Sequence, residues 1–581
     1  MNFMNKFYAT RTALIRYQHI QSKLKPRLTH RPTDVKPVFR RAFDHLEKIG
    51  LKDDAGTYSF GNLLMGANQL SREMTAKIGK TGERVVFVCP NDASYVMTQW
   101  ACWISGQIAV PLNKSYPENL LEYYCNDSKT KLIVTNSSSA EIMDRLAKKC
   151  NAKIIVLDDD FRKNAQTKVP TKLTDVETGL SADFYNTSGA MILYTSGTTG
   201  NPKGVVLTHR NIYSQVNTLI DAWRWSSNDT VLHTLPLHHV HGVVNILLCS
   251  LYAGAKCVIL PKFDANTVWT HLLGINENPG DRKITVFMAV PTIYSKLLEE
   301  YDRIFAGDPK MTEHIKTILQ TKVRLMVSGS APLPVPLYQR WHSVTGHRLL
   351  ERYGMTEIGM CLSQLYDSSR EPGYIGVPLP GVTIKIVDIS RPNNETLLEC
   401  TNVNGSVEYT YLPIKEKNDD PTGELHVKGE GVFKEYFRRP EETQKEFTSD
   451  GWFKTGDICQ FSRQKKIFRI LGRASVDIIK TGGYKVSAVD VETILLGHPE
   501  VVECAVLGIP DDVYGEKVAA IITIKPMSLL THISLTEWAK EKMPKHWIPK
   551  EIRIVTSLPK NAMGKVNKKQ LRLSVFPELE N

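Results

Sequence analysis

The run Thr195-Ser196-Gly197-Thr198-Thr199-Gly200-Asn201-Pro202-Lys203-Gly204 concentrates glycines, small hydroxyls and one lysine. Glycines let backbone N–H groups approach an anion, hydroxyls add donors and the lysine adds charge, so the run reads as a phosphate cradle. It is not the P-loop of the nucleoside triphosphatases. Counted from Gly197, Pro202 stands where G-x-x-x-x-G-K-[ST] requires its second glycine. The apolar run Ala190-Met191-Ile192-Leu193-Tyr194 just before it predicts a buried strand, which puts the cradle at a strand-to-loop turn.

Four further strings follow in order: Glu351-Arg352-Tyr353-Gly354-Met355-Thr356-Glu357, Phe453-Lys454-Thr455-Gly456-Asp457, Gly472-Arg473-Ala474-Ser475-Val476-Asp477 and Pro559-Lys560-Asn561-Ala562-Met563-Gly564-Lys565. With the cradle they resemble the adenylate-forming superfamily of acyl-CoA synthetases, luciferases and peptide-synthetase adenylation domains. The resemblance implies ATP contacts from Thr195 through Lys203, from Ser330, Glu351, Arg352, Tyr353, Gly354, Met355 and Thr356, and from Asp457, Arg473 and Lys565. Tyr353 would stack on adenine, Thr356 would reach a phosphate, and Asp457 would accept from the ribose hydroxyls. Glu357 would hold Mg²⁺, for which a carboxylate is a natural hard-oxygen ligand. Lys565 would be the adenylation lysine, with Thr356, Glu357 and His239 completing the catalytic set. Ser475 stands at the hinge pivot, where the family usually carries Asp or Lys. The face around Lys480, Gly482 and Gly483 would meet the thiol of CoA after the small domain swings.

The implied chemistry has two steps, an acyl-adenylate formed from ATP and then a thioester to CoA. No hydrolase nucleophile is needed, and no serine- or cysteine-hydrolase signature is present. The acyl site is expected among Pro236-Leu237-His238-His239-Val240-His241-Gly242, the segment from Pro291 to Lys296, and Ser328-Gly329-Ser330-Ala331. A fatty acid requires an apolar tunnel, because each buried methylene contributes about 0.8 kcal/mol. Here the segments offer His239, His241, Lys296, Ser330 and Arg352 instead, and a buried cation calls for a second substrate carboxylate. PLHHVHGVVN, VPTIYSKL, SGSAPLP and ERYGMTEIGM narrow the resemblance to the malonyl-CoA synthetases, especially the mitochondrial form. That likeness assigns the distal carboxylate to Lys296, Arg352 and Ser330, with Val240 and Met355 walling the α-carbon and leaving room for methylmalonate. Bacterial members often carry Arg where Lys296 stands, and lysine offers a point charge in place of a fork. Two other readings stay open: a medium-chain or aromatic acyl-CoA synthetase, or an adenylate-binding or carrier-loading protein without ligase activity on free CoA.

The elements that must position these groups are legible from periodicity. Val85 to Val88, Lys131 to Val134 and Lys153 to Val156 are short β-branched runs alternating with helical stretches, among them Ala42 to Ile49 and the stretch opened by Tyr58-Ser59-Phe60 and reaching Ile78. Ile212, Val216, Leu219, Ile220 and Trp223 keep helical spacing after the cradle, with Thr208 placed as N-cap. The expected fold is α/β: a large N-terminal domain of several subdomains over 36–473 and a small mobile α+β lid over 474–581. At 581 residues the chain exceeds one ordinary core. The net charge of +12 suggests nucleic acid, but residues 1–33 carry seven lysines and arginines and no acid, so the remainder is only +5. That basic leader predicts a mitochondrial transit peptide over 1–35 and a matrix location. The longest apolar stretch, Val243 to Leu260, is interrupted by Asn245, Ser250 and Lys256 and predicts core in place of a membrane segment. Ten scattered cysteines without CxxC pairs predict reduced, packed thiols. The partners expected are therefore small molecules: ATP, malonate and CoA.

Overall fold

Short β-branched strands, each followed by a helix that buries one apolar stripe, leave parallel pairing as the economical arrangement. A computed structural model describes residues 34–167, 178–195, 201–275, 283–391, 394–411, 420–560 and 566–577, so the basic leader lies outside it. Two large α/β sheets result. In the seven-stranded sheet, Arg84–Val88 lies parallel to Ile108–Pro111 on one side and Leu132–Asn136 on the other, and Lys153–Leu157 extends it. Gly189–Thr195 joins through Ala109 and Met191, and pairs antiparallel with Lys203–Thr208. The nine-stranded sheet sets Thr230–His233, Val286–Ala289, Leu325–Ser328 and Leu350–Met355 side by side, all parallel.

The helix His209–Trp223 starts at a capping box in which Thr208 and Asn211 exchange side-chain and backbone hydrogen bonds. The Asn211 amide also donates to the carbonyls of Glu430 and Val432, each at 2.8 Å. This one cap therefore fixes the segment that carries Phe433 and Tyr436 against the cradle sheet. The expected helix from Ala42 to Ile49 is corrected. Helical structure covers Val38–Arg41 and Ala42–Asp44, and Ile49–Asp53 is a strand. Leu51 pairs with Cys257 and Lys52 with Thr57, so tertiary pairing on both edges overrides local helical patterning around Gly50. The Val243 to Leu260 stretch is buried as the π-helix His241–Leu248, the helix Cys249–Ala253 and the strand Lys256–Ile259. Among the described residues no helix is long and apolar enough to cross a membrane.

A six-stranded antiparallel sheet follows, ending in the hairpin of Phe453–Ser462 and Ile467–Arg473. The apolar core changes here. One cluster includes residues from Val35 to Phe468, and a separate one begins at Ile479. The C-terminal unit is a five-stranded sheet built on the long hairpin Val501–Asp511 and Gly515–Ile524, with the helices Ala488–Leu495 and His532–Lys540. All ten cysteines are free thiols.

Candidate active site

The segments expected to form the acyl site leave the sheet at the carboxyl ends of its parallel strands, where ligand crevices form in open α/β sheets. His238 to His241 follow Thr230–His233, Pro291 follows Val286–Ala289, and Gly329 and Ser330 follow Leu325–Ser328. Arg352 enters from the neighbouring strand Leu350–Met355 and is 3% exposed. Its Nη2 donates to Ser330 Oγ at 3.1 Å, and that oxygen lies 3.1 Å from His241 Nδ1. Two backbone features make the cluster possible. A Cβ at Gly329 would stand 2.6 Å from the Arg352 guanidinium carbon. Ser330 adopts φ 69°, a left-handed conformation that costs a side-chain-bearing residue about 1–2 kcal/mol and is typically found where function holds it.

His241 opens a π-helix, a geometry frequent at functional sites because it re-aims side chains. Burial pushes the Arg352 guanidinium down to about 9, so at neutral pH it remains a desolvated cation. No carboxylate is hydrogen-bonded to it among the described residues, which suits an anion arriving with substrate. Val240 is buried at the N-cap of the π-helix, and Met355 is half-buried at the end of the Arg352 strand. His239 packs on the ring of His238 at 4.1 Å between centroids. Lys296 departs from expectation. It is exposed on the helix Pro291–Ile304, and among the described residues no hydrogen bond joins it to Ser330 or Arg352. Ile293, Tyr294, Leu297, Leu298 and Tyr301 form the buried stripe of this helix, so helical phase turns Lys296 outward, away from that core contact.

The cradle spans a hairpin. Thr195 and Lys203 are cross-strand partners, while Ser196 to Gly200 lie outside the described residues. Beyond them, Tyr123 Oη donates to the Pro202 carbonyl at 2.8 Å. Tyr194 Oη and Arg439 Nη2 donate to the two oxygens of Asp127 at 2.9 and 2.6 Å, bracing the same corner. Lys203 Nζ sits 4.1 Å over the Tyr436 ring and 3.7 Å from Glu446. Tyr436 Oη donates to Glu357 Oε1 at 2.9 Å. The Glu357 carboxyl is raised above its ordinary range by burial, an effect opposed by its own backbone N–H, Tyr436, Arg473 and Lys203. A buried carboxylate beside the cradle strand is a hard-oxygen donor that would suit a divalent cation. Thr356 occupies the turn beside it, and Gly354 is required because a Cβ there would meet the Gly359 carbonyl at 2.1 Å.

Asp457 and Arg473 are cross-strand partners, with Arg473 Nε 3.2 Å from Asp457 Oδ1. Tyr353 Oη donates to Asp457 Oδ2 at 2.5 Å, so three residues from distant motifs meet at one carboxylate. Ser475 is exposed in the turn that leaves this sheet. Lys480, Gly482 and Gly483 are exposed at the hairpin of Ile478–Thr481 and Tyr484–Ser487, with both glycines at positive φ. Lys565 lies outside the described residues. Tyr436, Tyr123, Asp127 and Arg439 had escaped the sequence reading. None belongs to a local motif, and only the sheet pairing of Glu435–Tyr436 with Val205 and Val206 brings Tyr436 to the site.

Glu351 and Arg352 are adjacent on one strand and therefore face opposite sides. The Glu351 carboxyl accepts from the Gly373 N–H at 3.0 Å, and burial pushes it up to about 8. Its unfolded value is about 4.3, so folding takes up a proton in between. The stability this protonated form provides is complete below about pH 4.3 and is lost as pH rises through about 8. Glu351→Gln removes the titration while keeping the shape. Its melting temperature is expected to exceed that of the wild type at pH 8.5, with the gap closing towards pH 5. An excess that does not depend on pH counts against this account.

Residues 38–437 match the family described as AMP-binding enzyme, and residues 490–565 match the AMP-binding enzyme C-terminal domain. The mitochondrial malonate–CoA ligase ACSF3 of Xenopus laevis is 45% identical over 95% of this chain and 94% of its own length. The human protein of that name is 44% identical over 92% of this chain and 91% of its own length. ATP-bound MatB from Rhodopseudomonas palustris superposes with a TM-score of 0.78 at 31% identity, covering 94% of this chain and 100% of that one. With the cradle hairpin, the Tyr353–Asp457–Arg473 junction and the two-part architecture already in view, these matches settle the lineage: the chain belongs to the AMP-binding enzyme family.

Proposed function

We propose that the chain joins malonate to coenzyme A with ATP, through an enzyme-bound malonyl-adenylate. In the first step a malonate carboxylate oxygen forms a bond to the α-phosphorus of ATP. The bond from that phosphorus to the bridging oxygen breaks, and pyrophosphate departs with the electron pair. In the second step the CoA sulfur attacks the acyl carbon, its proton passes to solvent, and AMP leaves with the electrons of the carbon–oxygen bond. The protein contributes position and charge, which are the main resources for phosphoryl and acyl transfer of this kind. Arg352, Ser330 and His241 hold the distal carboxylate. The cradle and Lys203 hold phosphates, and Asp457 and Tyr353 orient the nucleoside. Glu357 holds Mg²⁺, which neutralises phosphate charge when bound. Lys565, delivered by a lid over 474–581 that pivots near Ser475, stabilises the first transition state. The face of Lys480, Gly482 and Gly483 serves the second step.

The observation that supports malonate over a fatty acid is the buried guanidinium of Arg352 on Ser330, where an acyl tunnel would need apolar walls. Malonate–CoA ligases covering nearly the whole chain support the same reading. Their mitochondrial naming supports a mitochondrial enzyme, and the matrix is the compartment proposed.

The test is CoA-dependent AMP release across a panel of acids. Malonate is expected to lead. Methylmalonate should follow at a kcat/KM roughly 10–200-fold lower, since one methyl at Val240 and Met355 is worth about 1–3 kcal/mol. Preference for octanoate or benzoate would overturn the substrate assignment, and adenylate formation without thioester would overturn the ligase.

A further inference from the structure

In the C-terminal unit, Lys568 is only 12% exposed and lies between two carboxylates. Its Nζ is 2.5 Å from Asp477 Oδ1 and 2.7 Å from Glu492 Oε1. Ion pairs this buried are weak evidence for stability, because desolvation offsets the attraction, so their placement invites a functional question. Lys568 is also the first residue of the helix Lys568–Val575, where the helix dipole disfavours a cation. Something other than helix stability puts a lysine there.

Each partner leads somewhere definite. Asp477 Oδ2 accepts from the Arg473 N–H at 2.9 Å, so one carboxylate binds Lys568 and the backbone of the hinge arginine together. The approach is close: a Cβ at Gly472, whose φ is 121°, would stand 2.4 Å from the Asp477 Cβ. Arg473 in turn reaches Asp457 on the large domain at 3.2 Å. On the other side, Glu492 Oε1 accepts from the Val506 N–H at 2.7 Å, which ties Lys568 to the long hairpin of the small sheet. Lys568 stands three residues after Lys565 in the sequence, and the described residues on either side of Lys565, Lys560 and Val566, pair in an antiparallel bridge. Lys560 is itself paired with Glu503 on that hairpin.

We infer that Lys568 and Asp477 are positioning residues that set the adenylation-lysine segment relative to the hinge, through the continuous chain Asp457–Arg473–Asp477–Lys568. The inference deepens the reading above and rests on it for the role of Lys565. It assigns Lys568 and Asp477 to the first half-reaction only. After adenylation the small domain presents a different face, and the register of the Lys565 segment with Arg473 no longer matters to the chemistry.

The experiment compares two half-reactions in the full-length protein: acid-dependent exchange of pyrophosphate into ATP, and thioester formation from supplied malonyl-adenylate and CoA. Asp477→Asn and Lys568→Met are expected to lower exchange about ten- to a hundredfold, the scale of a misplaced reacting group, while thioester formation stays within about threefold. Lys568→Arg, which can still bridge both carboxylates, is expected to restore most of the exchange. Parallel loss of both half-reactions, or unchanged exchange in Asp477→Asn, overturns the coupling. Should Lys568→Met not fold, the isosteric Asp477→Asn decides alone. A wild-type chain that activates another acid overturns the malonate assignment, and the ratio is then read with that acid and its own adenylate.

Discussion

Arg352→Met is expected to cut malonate-dependent adenylation by about thirtyfold or more, since removing a buried charge-assisted contact costs about 2–5 kcal/mol. The Arg352 guanidinium is 3% exposed, and burial holds its pKa down at about 9, which records the free energy of keeping this cation dry. A dicarboxylate recovers that cost on binding, and a monocarboxylate cannot. The ratio of malonate to propionate activation should therefore collapse, with propionate itself little changed. Methionine is a suitable probe because it fills the space without a charge, and replacing an isolated buried ion by an apolar group tends to preserve or raise stability. Affinity for AMP should stay within about threefold, because Asp457 and Tyr353 remain joined. Equal losses for malonate and AMP would show that Arg352 serves the nucleotide and that the acid is held elsewhere. Gly329→Ala offers an independent route to the same outcome, since its methyl would push the guanidinium off Ser330.

How much of this was legible beforehand follows from the range of each signal. The strand before the cradle and the helix His209–Trp223 with its Thr208 cap came directly from local pattern, because each depends on residues within a few positions. The motif strings marked Arg352, Asp457 and Arg473, and the sheets bring Asp457 and Arg473 into cross-strand register. Contacts across long chain separations were invisible. Tyr436 meets Glu357 across 79 residues, and Arg439 meets Asp127 across 312. One reading failed, and one residue lies more exposed than expected, each for an identifiable physical reason. Ile49 lies in a strand because its antiparallel partner at Ser59, and the parallel pairing of Leu51 with Cys257, are invisible to local apolar spacing. Lys296 was read as a buried cation because a motif gives residue type without rotational phase, and the buried Leu297 and Leu298 set that phase. The left-handed Ser330 and the π-helix at His241 carry no local signature, and both shape the pocket.

Lys565→Ala is expected to remove adenylation by about a hundred- to a thousandfold, the usual effect of deleting one preorganised charge that faces a developing anion. Thioester formation from supplied malonyl-adenylate should persist within a few fold. Lys560 and Val566 pair in an antiparallel bridge, and Lys560 and Lys568 are each ion-paired within the small unit, so the described residues on either side of Lys565 belong to one framework. On the proposed function, a lysine carried between these residues acts as a charge in one orientation of the small unit and is withdrawn in the other. A two-step reaction at a single crevice can use that behaviour, since the charge serves the departure of pyrophosphate and the CoA thiol approaches only afterwards. Lys565→Arg separates charge from geometry. It keeps the charge but replaces a point donor with a planar fork, so adenylation should recover only in part. Full recovery would reduce the residue to a diffuse cation. Equal collapse of both half-reactions in Lys565→Ala would mean that the lysine supports the lid as a whole, and the division of labour between its two faces would have to be abandoned.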